Sequence, residues 1–263
     1  MPKCFIIILM SKVKDLIHGT EDHTEEYHTV FKDLKRRTKM INDHEVIPLF
    51  AVPLCKTKID EPSAEIQDYL KNKIKFVRRN YSDADNSEEL HILNNDICKP
   101  LKEALTNKMN EYLEYLDVDL EKHSFYITTS WMNRYSKEQW SDLHYHSNSL
   151  ISGVLYFDDC DDTSDIVFYK RQGHDNIFSD TVNIDHKKEF DINKKAYLYH
   201  QRKLNVSPEK WDLIMFPSNL NHSVNQNINA NKNRYSLAFN SFATGQLGSS
   251  SSIMFLDKND KYK

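Results

Sequence analysis

Two rhythms run along this chain, and one gives way to the other near residue 122. Between 63 and 80 the apolar positions Ile66, Tyr69, Leu70, Ile74 and Val77 recur at three- and four-residue intervals, and between 99 and 116 Leu101, Leu105, Met109, Tyr112 and Leu113 do the same. That period gathers each set on one helix face. Both stretches are predicted as amphipathic helices packed on a sheet. After Lys122 the helical period stops. Short runs rich in β-branched and aromatic residues follow, at Phe125–Tyr135, Leu150–Phe157, Ile166–Lys170, Ala196–His200, Leu213–Phe216, Arg234–Phe242 and Ile253–Leu256. Clusters of Asp, Asn, Ser and Gly separate them. Upstream, Val46–Leu54 is apolar, and Pro48 and Pro53 within it suit an edge strand. Short strands in series without interleaved helices predict a sandwich or jelly roll rather than a parallel α/β fold. The expected class is therefore α+β, mainly β: a jelly roll braced by N-terminal helices.

Composition narrows the class without changing it. The 263 residues fit one large domain, or one domain with an appendage. Thirteen Phe and fourteen Tyr supply core material, while only five Gly is low. Formal net charge is −4, so no global basic field invites nucleic acid. The four cysteines, Cys4, Cys55, Cys98 and Cys160, are far apart and contain no Cys-x-x-Cys, so they read as reduced thiols. The opening run Cys4–Met10 is too short for a membrane span and lacks the cleavage site of a signal peptide. No membrane is expected, and a cytoplasmic location is (host cytoplasm if the gene is a phage's). Residues 1–40 read as an N-terminal extension, helical or partly disordered, or as sequence upstream of a start at Met40. Their basic cluster Lys32 to Lys39 reads as a solvated helix face. Residues 41–263 read as a single domain, with a strand and supporting helices over 41–121 and the jelly-roll core over 122–263.

Chemistry concentrates in Asp142-Leu-His144-Tyr-His146-Ser-Asn-Ser149-Leu-Ile-Ser152-Gly153-Val-Leu-Tyr156. Residues i and i+2 of a strand point the same way, so His144 and His146 can aim at one point across a polar turn. Two imidazoles make half of a transition-metal site. With 12 histidines in the chain, such a pair also arises by chance. A third ligand is offered by His222, which follows the apolar run Trp211–Phe216 and the break at Pro217. Twelve residues later comes Arg234, sharing a strand face with Ser236 and Ala238. A strand-borne guanidinium suits a ligand carboxylate. A structural salt bridge is the plain alternative.

Taken in order, these parts resemble the iron(II)/2-oxoglutarate-dependent oxygenases. The particular likeness is to a family common in bacteria and their phages with the signature Trp-x-Asn-x-Tyr…His-x-His-x-x-Ser-x-x-Ser-Gly-Val-x-Tyr. Here it reads Trp131-Met-Asn133-Arg-Tyr135…His144-Tyr-His146-Ser-Asn-Ser149-Leu-Ile-Ser152-Gly153-Val-Leu-Tyr156. Ile47–Leu54 is similar to that family's beginning, so the likeness spans roughly residues 45–243. It implies a double-stranded β-helix, Fe(II) and 2-oxoglutarate as cofactors, and hydroxylation of a substrate coupled to decarboxylation of 2-oxoglutarate. It implies His144 and His222 on iron and Arg234 on the distal carboxylate of 2-oxoglutarate. Tyr156, Tyr135, Ser236 and Asn133 would meet the same cosubstrate. Trp131 and Ser152 would line that region, with Trp131 packing structurally.

The resemblance breaks at one place. The usual superfamily motif is His-x-Asp/Glu…His, and the carboxylate position here is His146. Three readings stand. His146 ligates in a three-histidine site; or it stands off and leaves a water; or Asp142 or Asp158 substitutes. Two other function classes remain beside the 2-oxoglutarate hydroxylase: a three-histidine iron dioxygenase that does not use 2-oxoglutarate, and a non-catalytic jelly-roll binding protein. Of the remaining histidines, His18, His23, His28 and His44 read as exposed, His174 and His186 as belonging to a polar insert, and His200 as a pocket-rim candidate. Nothing in the sequence selects the substrate.

Overall fold

The computed structural model describes residues 52–79, 84–158, 165–170, 203–228, 232–248 and 252–257. The 1–40 extension, the strand expected at 196–200, His174, His186, His200, Cys4 and Cys160 lie outside the described residues. Strand β1 is Cys55–Lys58, later than the edge strand expected over 46–54, whose first part is also outside the described residues. Helix α1, Ala64–Asp68, starts under Ser63, whose hydroxyl accepts the Ile66 N–H at 3.3 Å. A π-type turn over Tyr69–Lys73 continues it. The helix expected to residue 80 ends there, because Ile74 turns extended and Phe76–Arg78 forms strand β2, paired with β3 (Asp85–Ser87). Ile66 and Leu70 still fill the core as the helical spacing predicts, while Val77 serves a strand instead.

Helix α2, Lys99–Tyr115, matches expectation and buries Leu101, Leu105, Met109, Tyr112 and Leu113. Pro100 in its first turn loses no intrahelical bond there. Its end is a Schellman closure with a left-handed Asp117 (φ 55°): the Asp117 N–H donates to Glu114 O at 3.0 Å and the Val118 N–H to Leu113 O at 3.1 Å.

The strands follow: β4 His123–Tyr135, β5 Ser141–His144, β6 Ile151–Tyr156, β7 Ile166–Tyr169, β8 Lys203–Val206, β9 Asp212–Pro217, β10 His222–Val224, β11 Arg234–Leu247 and β12 Met254–Leu256. They make two antiparallel sheets. The larger runs β1-β9-β6-β11-β4-β3-β2 with β12 beside β11, and the smaller runs β5-β10-β7-β8. This is the α+β, β-dominated double-stranded β-helix expected, with helices on one side. Period-two alternation gives the large sheet two faces. Leu155, Leu213, Met215, Leu237 and Phe239 join the helix side chains in the main core. Their neighbours Tyr156, Ile214 and Phe216 turn the other way and pack with Ile166 and Phe168 of the small sheet. Gly153 is explained by this packing, because a Cβ there would sit 2.3 Å from the ring of Phe239 on the adjacent strand. Among the described residues no helix is long and apolar enough to cross a membrane, and Cys55 and Cys98 are free thiols.

Candidate metal centre

Strands β5 and β10 lie side by side with His144 directly opposite His222. His146 follows β5 and is tied down by its backbone, whose N–H donates to Ser218 O at 2.9 Å. The polar turn behind it is pinned by hydroxyls. Ser218 Oγ lies 2.7 Å from Ser149 Oγ and 2.8 Å from Ser152 Oγ, and Ser152 donates to Asn240 Oδ1 at 2.9 Å. Asn148 takes the left-handed conformation (φ 55°) that lets the chain reverse there. Ser218 and Asn240, which hold His146 through this network, carried no signal in the sequence, because serines and asparagines are common in turns.

The potential ligand nitrogens of His144, His146 and His222 all fall within 4.8 Å of one another. Nε2 of His146 is 3.2 Å from Nε2 of His222, a spacing that two nitrogens bound to one ion at about 2.1 Å can adopt. Nδ1 of His144 is 2.7 Å from Asp142 O and Nδ1 of His222 is 2.9 Å from Leu220 O. A carbonyl only accepts, so both Nδ1 atoms carry a proton and Nε2 is the nitrogen each ring can offer to a metal. His222 is buried against the rings of Phe216 and Phe168. That burial, helped by neighbouring His144, pushes its pKa down to about 3, and the same two causes bring His146 down to about 4. Both imidazoles are therefore neutral near pH 7 and need lose no proton to bind a metal. The donor set fits a divalent transition ion.

No carboxylate joins these histidines among the described residues. Asp142 instead accepts from Trp140 Nε1 at 3.2 Å, and Asp158 pairs with Lys71 at 3.2 Å. Neither takes the place of the usual acid.

The histidines open on a cavity of about 430 Å³ between the sheets. Tyr135, Asn133, Tyr156, Ser236 and Arg234 line it, as does Trp131, whose ring is 5.7 Å from that of His146. The sequence-predicted residues thus meet at one place, except Ser152, which sits in the serine network rather than on the cavity wall. Arg234 is 2% exposed, with its guanidinium 4.9 Å from the Tyr156 ring and 5.5 Å from the Tyr135 ring. Burial raises the Tyr135 pKa, opposed by the Arg234 charge and the Ser141 hydroxyl, so the phenol keeps its proton. The cavity also includes Arg79, Asn86, Leu90, Thr129 and Tyr145. Arg79 and Asn86 come from β2–β3, which breaks what looked like continuous helix.

Residues 129–240 match the family model described as "Putative 2OG-Fe(II) oxygenase". No curated protein matches the chain. Among solved structures, the chain is similar to a 2OG-Fe(II) oxygenase family oxidoreductase from Burkholderia pseudomallei, at 13% identity and TM-score 0.45 over 67% of this chain and 75% of that one. It is also similar to a Pseudomonas putida prolyl-4-hydroxylase, at 13% identity and TM-score 0.46 over 73% of this chain and 94% of that one. HygX from Streptomyces hygroscopicus, crystallised with nickel, 2-oxoglutarate and hygromycin B, shares 12% identity at TM-score 0.45 over 72% of this chain and 82% of that one.

Proposed function

We propose, from the match of residues 129–240 to the 2OG-Fe(II) oxygenase family model, that the chain is an iron-dependent oxygenase whose ion is held by His144, His146 and His222. The observation carrying this reading is the convergence of three imidazoles with no carboxylate in reach among the described residues. When bound, iron supplies the redox chemistry that activates molecular oxygen. The chain's own residues do the rest. Leu220 O and Asp142 O orient the His222 and His144 rings. The serine network fixes the turn that carries His146. Trp131, Val154 and Ile166 give the cavity apolar wall, which limits water around the reacting groups. An all-imidazole shell leaves the site one unit more positive than two histidines and a carboxylate, which favours anionic ligands.

A second reading, 2-oxoglutarate as cosubstrate with hydroxylation as the outcome, is favoured by Arg234. Its buried guanidinium lies in the same cavity, where it suits the distal carboxylate of a dianion. Tyr135, Tyr156, Asn133 and Ser236 would then position that molecule.

Anaerobic titration of Fe(II), with and without 2-oxoglutarate, separates the readings. Iron uptake lost in His222→Ala and His146→Ala supports the three-histidine centre. Uptake unchanged in His146→Ala removes that residue from the shell. A visible charge-transfer band on adding 2-oxoglutarate, weakened in Arg234→Ala, establishes the cosubstrate. Iron without the band leaves the 2-oxoglutarate-independent enzyme, and no iron at all points to a non-catalytic binding protein.

A further inference from the structure

The side of the cavity away from Arg234 has its own unmet chemistry. In the large sheet β4 separates β11, which carries Arg234, from β3, which carries Asn86. Arg79 follows β2, at the sheet's edge. Trp131 Nε1 donates to Asn133 Oδ1 at 3.1 Å, and an indole N–H can only donate, so that oxygen is fixed as the acceptor. Asn86 also approaches Asn133 Oδ1, at 2.8 Å, and must do so with its Nδ2. Its own Oδ1 is thereby left as an acceptor, buried and without a partner among the described residues, in a residue only 6% exposed.

Arg79 mirrors this. Its Nη2 donates to Ser87 O and Glu88 O, each at 3.2 Å, and its Nε is buried with no acceptor among the described residues. The nearby carboxylate is already engaged, since Asp85 takes Arg78 at 3.0 Å and Arg134 at 2.9 Å. Among the described residues no acid pairs with Arg79, and none lines the cavity. A buried, unmatched donor on a cation costs stability unless a ligand completes it.

We propose that Arg79 and Asn86 form the anchoring subsite for the substrate to be oxidised. It takes an oxyanion, carboxylate or phosphate, with an N–H or O–H donor beside it. The oxyanion accepts from Arg79 Nε–H, and the donor bonds Asn86 Oδ1. Arg234 and Arg79 then hold separate anions on opposite sides of β4. The assignment of this ligand as the oxidised substrate rests on the oxygenase reading above, whereas the subsite itself does not.

The test uses the full chain loaded with Zn(II), a redox-inert ion, titrated with N-acetylglycine, methyl phosphate and the uncharged N-acetylglycinamide, binding being read by ligand-observed NMR. At least one anion should bind in the millimolar range and at least about tenfold more weakly to Arg79→Gln. Arg79→Lys keeps the charge but not the Nε–H and should fall between. N-acetylglycinamide should bind weakly to all. Preference for N-acetylglycine identifies a carboxylate subsite, and preference for methyl phosphate a phosphate one. Anion binding indifferent to Arg79, N-acetylglycinamide binding as tightly as N-acetylglycine, or no anion binding by the unmodified chain overturns the proposal. Zinc uptake is measured on the same samples. Arg79-dependent anion binding by a chain that takes no metal sinks the oxygenase reading and spares the subsite. Full uptake with Arg79-independent binding does the reverse.

Discussion

Strand β11 shows two designs on its two faces. Leu237 and Phe239 enter the main core with Leu155, Met215 and Met132, all essentially inaccessible to solvent. Arg234, Ser236 and Ala238, their immediate neighbours, line the cavity instead. On the first face, stability comes from apolar area and close packing, and any change of volume is felt. On the second, small and polar groups leave space, satisfy one another in part, and keep some hydrogen-bonding capacity for a ligand. The apolar face thus fixes the geometry that the polar face uses. A substitution should therefore harm either stability or binding according to the face it touches.

The largest stability effect is expected on the apolar face. Phe239→Ala removes a fully buried ring and should cost about 3–5 kcal/mol in urea unfolding. Gly153→Ala, which pushes a methyl into that ring from the next strand, should cost about 1–3 kcal/mol by overpacking. The two changes share one space. The double variant should consequently lose less than the sum, and strict additivity would disprove the contact as the reason for the glycine.

A smaller, pH-dependent effect is expected at Asp212. Burial alone would raise its pKa, but the Glu209 N–H at 2.7 Å and the Lys56 ammonium at 2.9 Å outweigh this and hold it below the usual carboxylate range. A folded pKa below the unfolded one means stability present above about pH 4 and lost as pH falls through the folded value. Asp212→Asn should cost about 1.5 kcal/mol at pH 7. The gap from the unmodified chain should close as pH drops below about 4. A gap that stays constant with pH would show that the carboxylate's charge is not what matters.

The same two faces explain what could be read from the sequence. The core helix α2 was legible because five apolar positions at helical spacing all turned inward. The strands of β4, β6, β9 and β11 were legible from β-branched and aromatic runs. The 63–80 stretch misled because Ile74 and Val77 continue a helical interval by coincidence, while the chain turns extended at Ile74 and sheet pairing with β3 decides the conformation of Val77. Strands β5 and β10 are short and polar, since they present ligands, so their periodicity is weak even though their histidines stand out. Arg79 and Asn86 were invisible, because their role depends on β2 and β3 folding back beside β4, a tertiary pairing that no local pattern announces.

The sharpest separation of the two faces comes from the substitution with the smallest expected effect on the fold. Among the described residues the His146 side chain hydrogen-bonds another imidazole, and it borders the cavity, so removing the ring orphans no carbonyl. His146→Ala should change metal-free unfolding by less than about 1 kcal/mol. Yet it should abolish Fe(II) uptake, since the remaining pair, His144 and His222, leaves a two-nitrogen site. The expected result is a normal unfolding curve for the metal-free variant, combined with loss of the stabilisation that added metal gives the unmodified chain. Large destabilisation without metal would mean that His146 belongs to the packing face after all. Retained metal stabilisation would mean that two imidazoles hold the ion, and the three-histidine centre would have to be given up.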